Sequence, residues 1–251
     1  MNRKIALIAG LLAFIVALIV LAPASVLSSW IYQRSEQHVL LAQAEGTIWN
    51  GSATVVLQGT SPEDMISAGK LRWEIFPLQL VLGRIYAALY WNDAPPAWLS
   101  IESSRVHLEH ALFDMPASVV TQFLPAMRAA GLTGQLNIRT ESVSLSEQSI
   151  QGDVFVDWMQ ASSPLSAISP LGNYHAQLSG NQDGLSIMLN TLNGALILNG
   201  SGNWSNQQGL DFQGSAQAEA SKQKELSELL RVIGNEQVPG SGIFQISLKE
   251  H

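Results

Sequence analysis

The sequence predicts a mainly β protein: an N-terminal transmembrane helix followed by a curved antiparallel β-sheet domain with two or three short covering helices. Three observations carry this expectation. The chain opens with an apolar run, Ile5 to Ala22, that holds no charged side chain. From residue 45 onward apolar and polar residues alternate with period two, the mark of strands with one buried and one wet face. Between these stretches stand short Gly/Asn/Asp clusters, which tolerate the positive φ that hairpin turns need.

The apolar run comes first. A spanning helix needs about 20 mostly apolar residues to cross a hydrocarbon core of about 30 Å, and extension through Val26 and Leu27 supplies that length. Arg3 and Lys4 precede the run, and the next Lys or Arg is Arg34. This asymmetry keeps the N-terminus in the cytoplasm and sends the rest across. A cleaved signal peptide fits less well, because the run exceeds the roughly 7–15 apolar residues of such a segment and Pro23 interrupts the small-residue site Ala22-Pro23-Ala24. The expected organisation is a cytoplasmic tail at 1–4, a transmembrane helix at 5–27 and a β-rich domain at 28–251 outside the cytoplasm. Trp30 and Tyr32 would sit in an aromatic belt.

The strands follow. Arg105–Glu109, Leu132–Arg139, Tyr174–Ser179, Leu185–Asn190 and Phe244–Lys249 alternate cleanly. Gly180–Gly184, Asn193-Gly194, Asn199-Gly200 and Gln208-Gly209 read as turns, so Leu171–Ala220 is expected to be a meander of about four strands. Two stretches carry helical spacing instead. Residues 117–129 place Val120, Phe123, Leu124 and Met127 on one side, with Pro125 as a kink. Residues 221–233 place Leu226, Leu229, Leu230 and Ile233 together, with Ser221 as cap and Gly234 as stop. A shorter turn starts at Pro77 and ends at Gly83. Residues 161–170 are a loop by composition and the best internal boundary.

Composition narrows the function. Charged residues make up 13% of the 251 and the net charge is −7, which argues against nucleic acid, whose phosphates demand a basic patch. The chain has no cysteine, so thiolate metal sites and Cys nucleophiles are excluded. His107 and His110 fall on opposite faces of a strand and cannot jointly hold a metal. Asp153 and Asp157 share one face and could serve acid–base chemistry, but they read as the wet side of a strand whose other side is Val154, Val156 and Trp158. Neither a Gly-x-Ser-x-Gly elbow nor a phosphate-binding loop occurs, and Gly200-Ser201-Gly202 reads as part of a hairpin. No enzyme activity, metal or cofactor is expected.

Several stretches go beyond composition. Ala44-Glu45-Gly46-Thr47-Ile48-Trp49-Asn50-Gly51-Ser52-Ala53 is followed by Lys70-Leu71-Arg72-Trp73-Glu74-Ile75-Phe76-Pro77-Leu78-Gln79-Leu80-Val81-Leu82-Gly83-Arg84. Later come Pro170–Tyr174 and Leu196–Trp204. This order resembles the type II secretion system protein N family (general secretion pathway protein N) over nearly the whole chain. A related stretch occurs more distantly in AsmA-like envelope proteins. The resemblance implies a single-pass component of the bacterial inner membrane, its main domain periplasmic, in the machine that exports folded proteins across the outer membrane. It implies no catalytic residues. Gly46, Trp49, Gly51, Trp73, Pro77 and Gly83 are the motif residues, and we read them as serving the fold by setting a strand, a corner and the return strand Arg84–Trp91.

Two functions from different classes remain. One is an interaction subunit that touches other inner-membrane subunits of the secretion system. The other is an AsmA-like lipid-binding or lipid-transfer module. On the first, exposed sheet edges recruit partner strands. The edges are expected near Trp49–Leu57 and Ile243–Leu248, with Thr54 and Gln245 as contact positions.

Overall fold

The structure, a computed structural model, describes residues 3–59, 65–121, 128–146, 149–181, 184–205, 207–236 and 241–250. Its frame is one 14-stranded sheet: β1 (Val39–Gly46), β2 (Asn50–Gln58), β3 (Met65–Ile75), β4 (Ile85–Trp91), β5 (Ala97–Glu102), β6 (Arg105–Pro116), β7 (Thr133–Ser146), β8 (Ile150–Ser162), β9 (Gly172–Asn181), β10 (Gly184–Gly194), β11 (Leu196–Ser205), β12 (Gly209–Ala218), β13 (Asn235–Glu236) and β14 (Ile243–Glu250). The strands lie in chain order up to β12, then β14, then β13 at the far edge. Every neighbouring pair is antiparallel. The expected meander over Leu171–Ala220 is β9–β12.

Because the connections are short, the strand ends form two rims. The first carries Gly46, Asn50, Ile75, Ile85, Asn181 and Gly184. The second carries Val39, Gln58, Met65, Trp91, Gly194 and Leu196. Registers slip between Ala42 and Glu45 and between Trp158 and Ala161, where Gln43 and Gln160 adopt positive φ. Bulges of this kind bend a strand and raise its twist.

Register also sorts the side chains. Val55, Leu71, Trp73, Leu89 and Leu99 share a face with Val154, Val156, Trp158, Leu178, Ile187, Leu198 and Phe244 through successive cross-strand pairs. Helices cover this apolar face at its two ends. At the first end α2 (Ala24–Arg34) places Ala24, Leu27 and Ile31 against Leu41, Val55 and Trp73. α3 (Ser118–Thr121) adds Val119 to the same cluster. At the other end α4 (Gln223–Ile233) buries Leu226, Leu229 and Leu230 against Leu196, Leu198, Ala216 and Phe244.

The helices depart from expectation in their details. α3 buries Val119, while Val120 is exposed. The rest of the expected helix at 117–129, including Phe123, Leu124, Pro125 and Met127, falls largely on 122–127, outside the described residues. α4 has no side-chain cap. Its N-cap is Lys222, because Ser221 is taken up in a preceding 3-10 turn. Gly234 does end α4, but with extended backbone. Glycine is needed there because a β-carbon would lie 2.7 Å from the Gln245 carbonyl oxygen. Asn199-Gly200 is the interior of β11 and not a turn. Gly200 sits beneath the Phe212 ring, so its glycine reports close packing. The segment at 161–170 joins β8 to β9, which pair directly, and Ser163 Oγ donates to the Ala130 carbonyl from a buried position.

The apolar run forms α1 (Arg3–Val20), which stops short of the expected residue 27. The chain turns at Leu21–Pro23 and α2 begins at Ala24, since proline cannot donate the amide that a continuing helix requires. Among the described residues no helix is long and apolar enough to cross a membrane. Leu7, Leu11, Leu12, Phe14, Leu18 and Val20 of α1 are nonetheless all exposed. Trp30 and Tyr32 lie on α2, the helix packed on the sheet.

Candidate interaction surfaces

The motif residues converge at the first rim. Gly46 ends β1 with φ of 85°, and a β-carbon there would lie 2.5 Å from the Asn50 carbonyl oxygen. Thr47 Oγ1 accepts from the Trp49 and Asn50 amides and closes the β1–β2 turn. Trp49 then touches two elements: its ring nitrogen donates to the Ile19 carbonyl of α1 at 2.9 Å, and its own carbonyl accepts from the Ile75 amide at 2.6 Å. Trp73 is buried, donates from Nε1 to the Ile48 carbonyl at 3.1 Å, and lies over Gly51, its partner across the β2–β3 pair.

Pro77 opens a six-residue 3-10 turn, Pro77–Leu82, and Gly83 closes it with φ of 75°. Phe76 N–H to the Tyr86 carbonyl (2.9 Å) and Arg84 Nε to Gln79 Oε1 (3.0 Å) clamp this turn onto the start of β4. Its apolar side chains point into solvent: Leu78, Leu80, Val81 and Leu82 are 82%, 43%, 85% and 70% exposed. Beside it Phe76, Tyr86 and Trp98 form an aromatic cluster, with Tyr86 stacked on Trp98 at 5.5 Å. Nothing in the strand periodicity marked this surface. The signal was present as a run of aliphatic residues inside a turn, where polar residues are the rule.

The edges fall elsewhere than expected. Thr54 is not at an edge: β2 is flanked by β1 and β3, and Thr54 pairs with both Ala42 and Lys70. The expectation missed Val39–Gly46 as a strand because its sequence, VLLAQAEG, alternates poorly. β1 is the true first edge, and α2 occupies it. The Val39 amide donates to Ser35 Oγ at 3.0 Å, and Ser28 Oγ donates to the Leu41 carbonyl at 2.8 Å. Two edge groups that a partner strand would need are thus already used. Gln245 lies on β14, between Ser215 of β12 and Asn235 of β13. β13 pairs only with Phe244 and Gln245, so β14 from Ile246 onward has no strand on its outer side among the described residues.

The polar face carries the chemical candidates. Asp157 accepts from Arg139 Nη1 at 2.9 Å and meets His175 Nδ1 at 2.6 Å. Asp153 accepts from Ser179 Oγ. The two carboxylates share a face as expected, and cross-strand partners satisfy each. His107 meets Glu109 and His110 meets Glu141, both at 3.1 Å. Among the described residues no group of three His, Asp or Glu could hold a metal. A wide trough at the first rim, with Leu145, Ile150, Ile187, Asn203, Trp204 and Gln213 among its walls, mixes polar and apolar groups.

Comparison with known proteins gives one finding. A family model described as type II secretion system (T2SS), protein N, matches residues 37–244. That span takes in the sheet from its first strand into its last, and both motif stretches. No curated protein and no solved structure matches the chain.

Proposed function

We propose, from the premise that this chain belongs to the type II secretion system protein N family, that it serves type II secretion through protein–protein contacts at the inner membrane. In this reading α1 is a single-pass anchor with its N-terminus in the cytoplasm, and the sheet stands in the periplasm against other inner-membrane subunits of the machine. An anchor of this kind raises the effective concentration of the domain for membrane-bound partners.

The observation that carries the reading is the inequality of the two edges. β1 is closed by Ser28 and Ser35, whereas among the described residues no strand pairs with the outer side of β14 from Ile246 toward the first rim, the rim at which α1 leaves the sheet. An open edge binds an extended partner segment by adding a strand. In-cell photo-crosslinking tests it. Probes at Gln245 and Ser247 are expected to give adducts with other secretion-system subunits, and a probe at Gln43 on β1 is not. Equal adducts from Gln43, or adducts with lipid alone, would overturn the reading.

A further inference from the structure

We propose that the 3-10 turn Pro77–Leu82 is a membrane-interface loop that seats the first rim of the sheet on the bilayer entered by α1. The inference rests on the anchor reading of α1 and goes beyond it, since it assigns a second membrane contact, far from α1 in sequence, and an orientation for the sheet.

Position is the first support. α1 ends at Val20, and the Trp49 ring nitrogen holds the Ile19 carbonyl. The Trp49 carbonyl in turn holds the Ile75 amide, and the turn begins two residues later at Pro77. Two hydrogen bonds therefore join the end of the apolar helix to the apolar turn, and both lie on one rim.

Chemistry is the second support. Leu78, Val81 and Leu82 are each at least 70% exposed, on a loop that its own backbone bonds hold closed. Contiguous exposed apolar groups rimmed by polar residues mark a membrane or partner surface. The flanks choose the membrane. Phe76, Tyr86 and Trp98 cluster beside the turn, and the Arg84 guanidinium lies 5.9 Å from the Tyr86 ring centroid. Aliphatic side chains at the tip, aromatic rings behind them and a cation at their level repeat the order of tails, interface and headgroups in a bilayer. Among the described residues on the opposite rim, Leu192, exposed near the end of β10, stands between the polar Thr191 and Asn193.

The absence of cysteine makes the test direct, because any single cysteine introduced into the full chain is the only labelling site. Leu11→Cys, Val81→Cys and Leu192→Cys are labelled with an environment-sensitive fluorophore. Each full-length variant is reconstituted into phosphatidylethanolamine–phosphatidylglycerol vesicles containing spin-labelled lipid. All three side chains are exposed, so the fold is not at stake. The expected result is quenching at Leu11 by deep spin labels, quenching with a blue shift at Val81 by shallow ones, and neither at Leu192. Quenching at Leu11 with none at Val81 overturns the loop and leaves the anchor standing. No quenching at Leu11 overturns the anchor and the inference with it. Equal quenching at Val81 and Leu192 overturns the proposed orientation.

Discussion

The indole of Trp73 lies across the backbone of Gly51, so that a β-carbon at position 51 would come 2.6 Å from Cζ2 of the ring. The two residues are direct partners in the β2–β3 pair. The ring fills the space a side chain would have used, and its nitrogen ties the strand to the Ile48 carbonyl. Trp91 lies over Gly69 in the same way. Such glycine–aromatic pairs pin register in a long sheet.

Gly51→Ala should therefore destabilise the domain by about 1–3 kcal/mol, the usual cost of overpacking. The Glu45 and Thr47 carbonyls on the other side leave no room for adjustment. Gly83→Ala should cost less, about 1 kcal/mol, because only the positive φ resists it and no atom lies within 4 Å of the new methyl group. Thermal melts of the two variants check the ranking.

Leu230→Asp should lower stability by several kcal/mol. The side chain is buried between α4 and the sheet, and a carboxylate there would be desolvated without a partner. Leu229→Ala, which leaves a cavity instead, should cost about 2–5 kcal/mol. An unchanged melt for both variants would mean that α4 does not cover the sheet.

Loss of Ser28 and Ser35 should act on association as well as stability. Ser28→Ala removes one bond to β1 and Ser35→Ala the two that its hydroxyl makes with Val39, each worth about 1 kcal/mol. The double variant also frees backbone groups of Val39 and Leu41 on an edge strand, which invites pairing with a second copy. Size-exclusion chromatography with light scattering should show a larger oligomeric fraction than in the parent.

Tyr174 gives the fold an alkaline limit. Its hydroxyl donates to the Leu196 carbonyl at 3.0 Å, and burial pushes its pKa well above the ordinary value of 10.0. The folded state thus holds this proton more tightly than the unfolded state does. The resulting stability is present below pH of about 10 and is lost as the unfolded phenol ionises above it. Melting temperature should fall through that range, and Tyr174→Phe should reduce the steepness of the fall while costing about 1 kcal/mol at neutral pH.

Much of this architecture is legible in the residues. Period-two alternation finds β9–β12 because each buries one face only, and Pro77 and Gly83 bound their turn because each has a fixed backbone requirement. Other features lie beyond local pattern. β1 escapes the pattern because VLLAQAEG does not alternate apolar with polar residues. Gly200 reads as a turn in sequence, because glycine under a ring and glycine at positive φ look alike there. For the exposed turn at Leu78–Leu82 the residues mark the bounds alone, since sequence does not tell an apolar residue that is buried from one that faces outward. The ion pairs of Asp157 join residues 18 apart across strand pairs and depend on register.

The strand order has a bearing on how the molecule comes into being. Each strand up to β12 pairs with the one made just before it. No strand waits for a distant segment, and contacts between near neighbours close with little loss of chain entropy. The sheet can grow one hairpin at a time as the chain emerges from its N-terminus, and the newest strand is always the template for the next. α2 closes β1 at the outset, so growth has one direction. The order breaks only at the end, where α4 and β13 precede β14 in the chain and β14 inserts between β12 and β13. Assembly is therefore complete only when the last strand is released, and a chain cut short before Ile243 would keep β12 as an unfinished growing end.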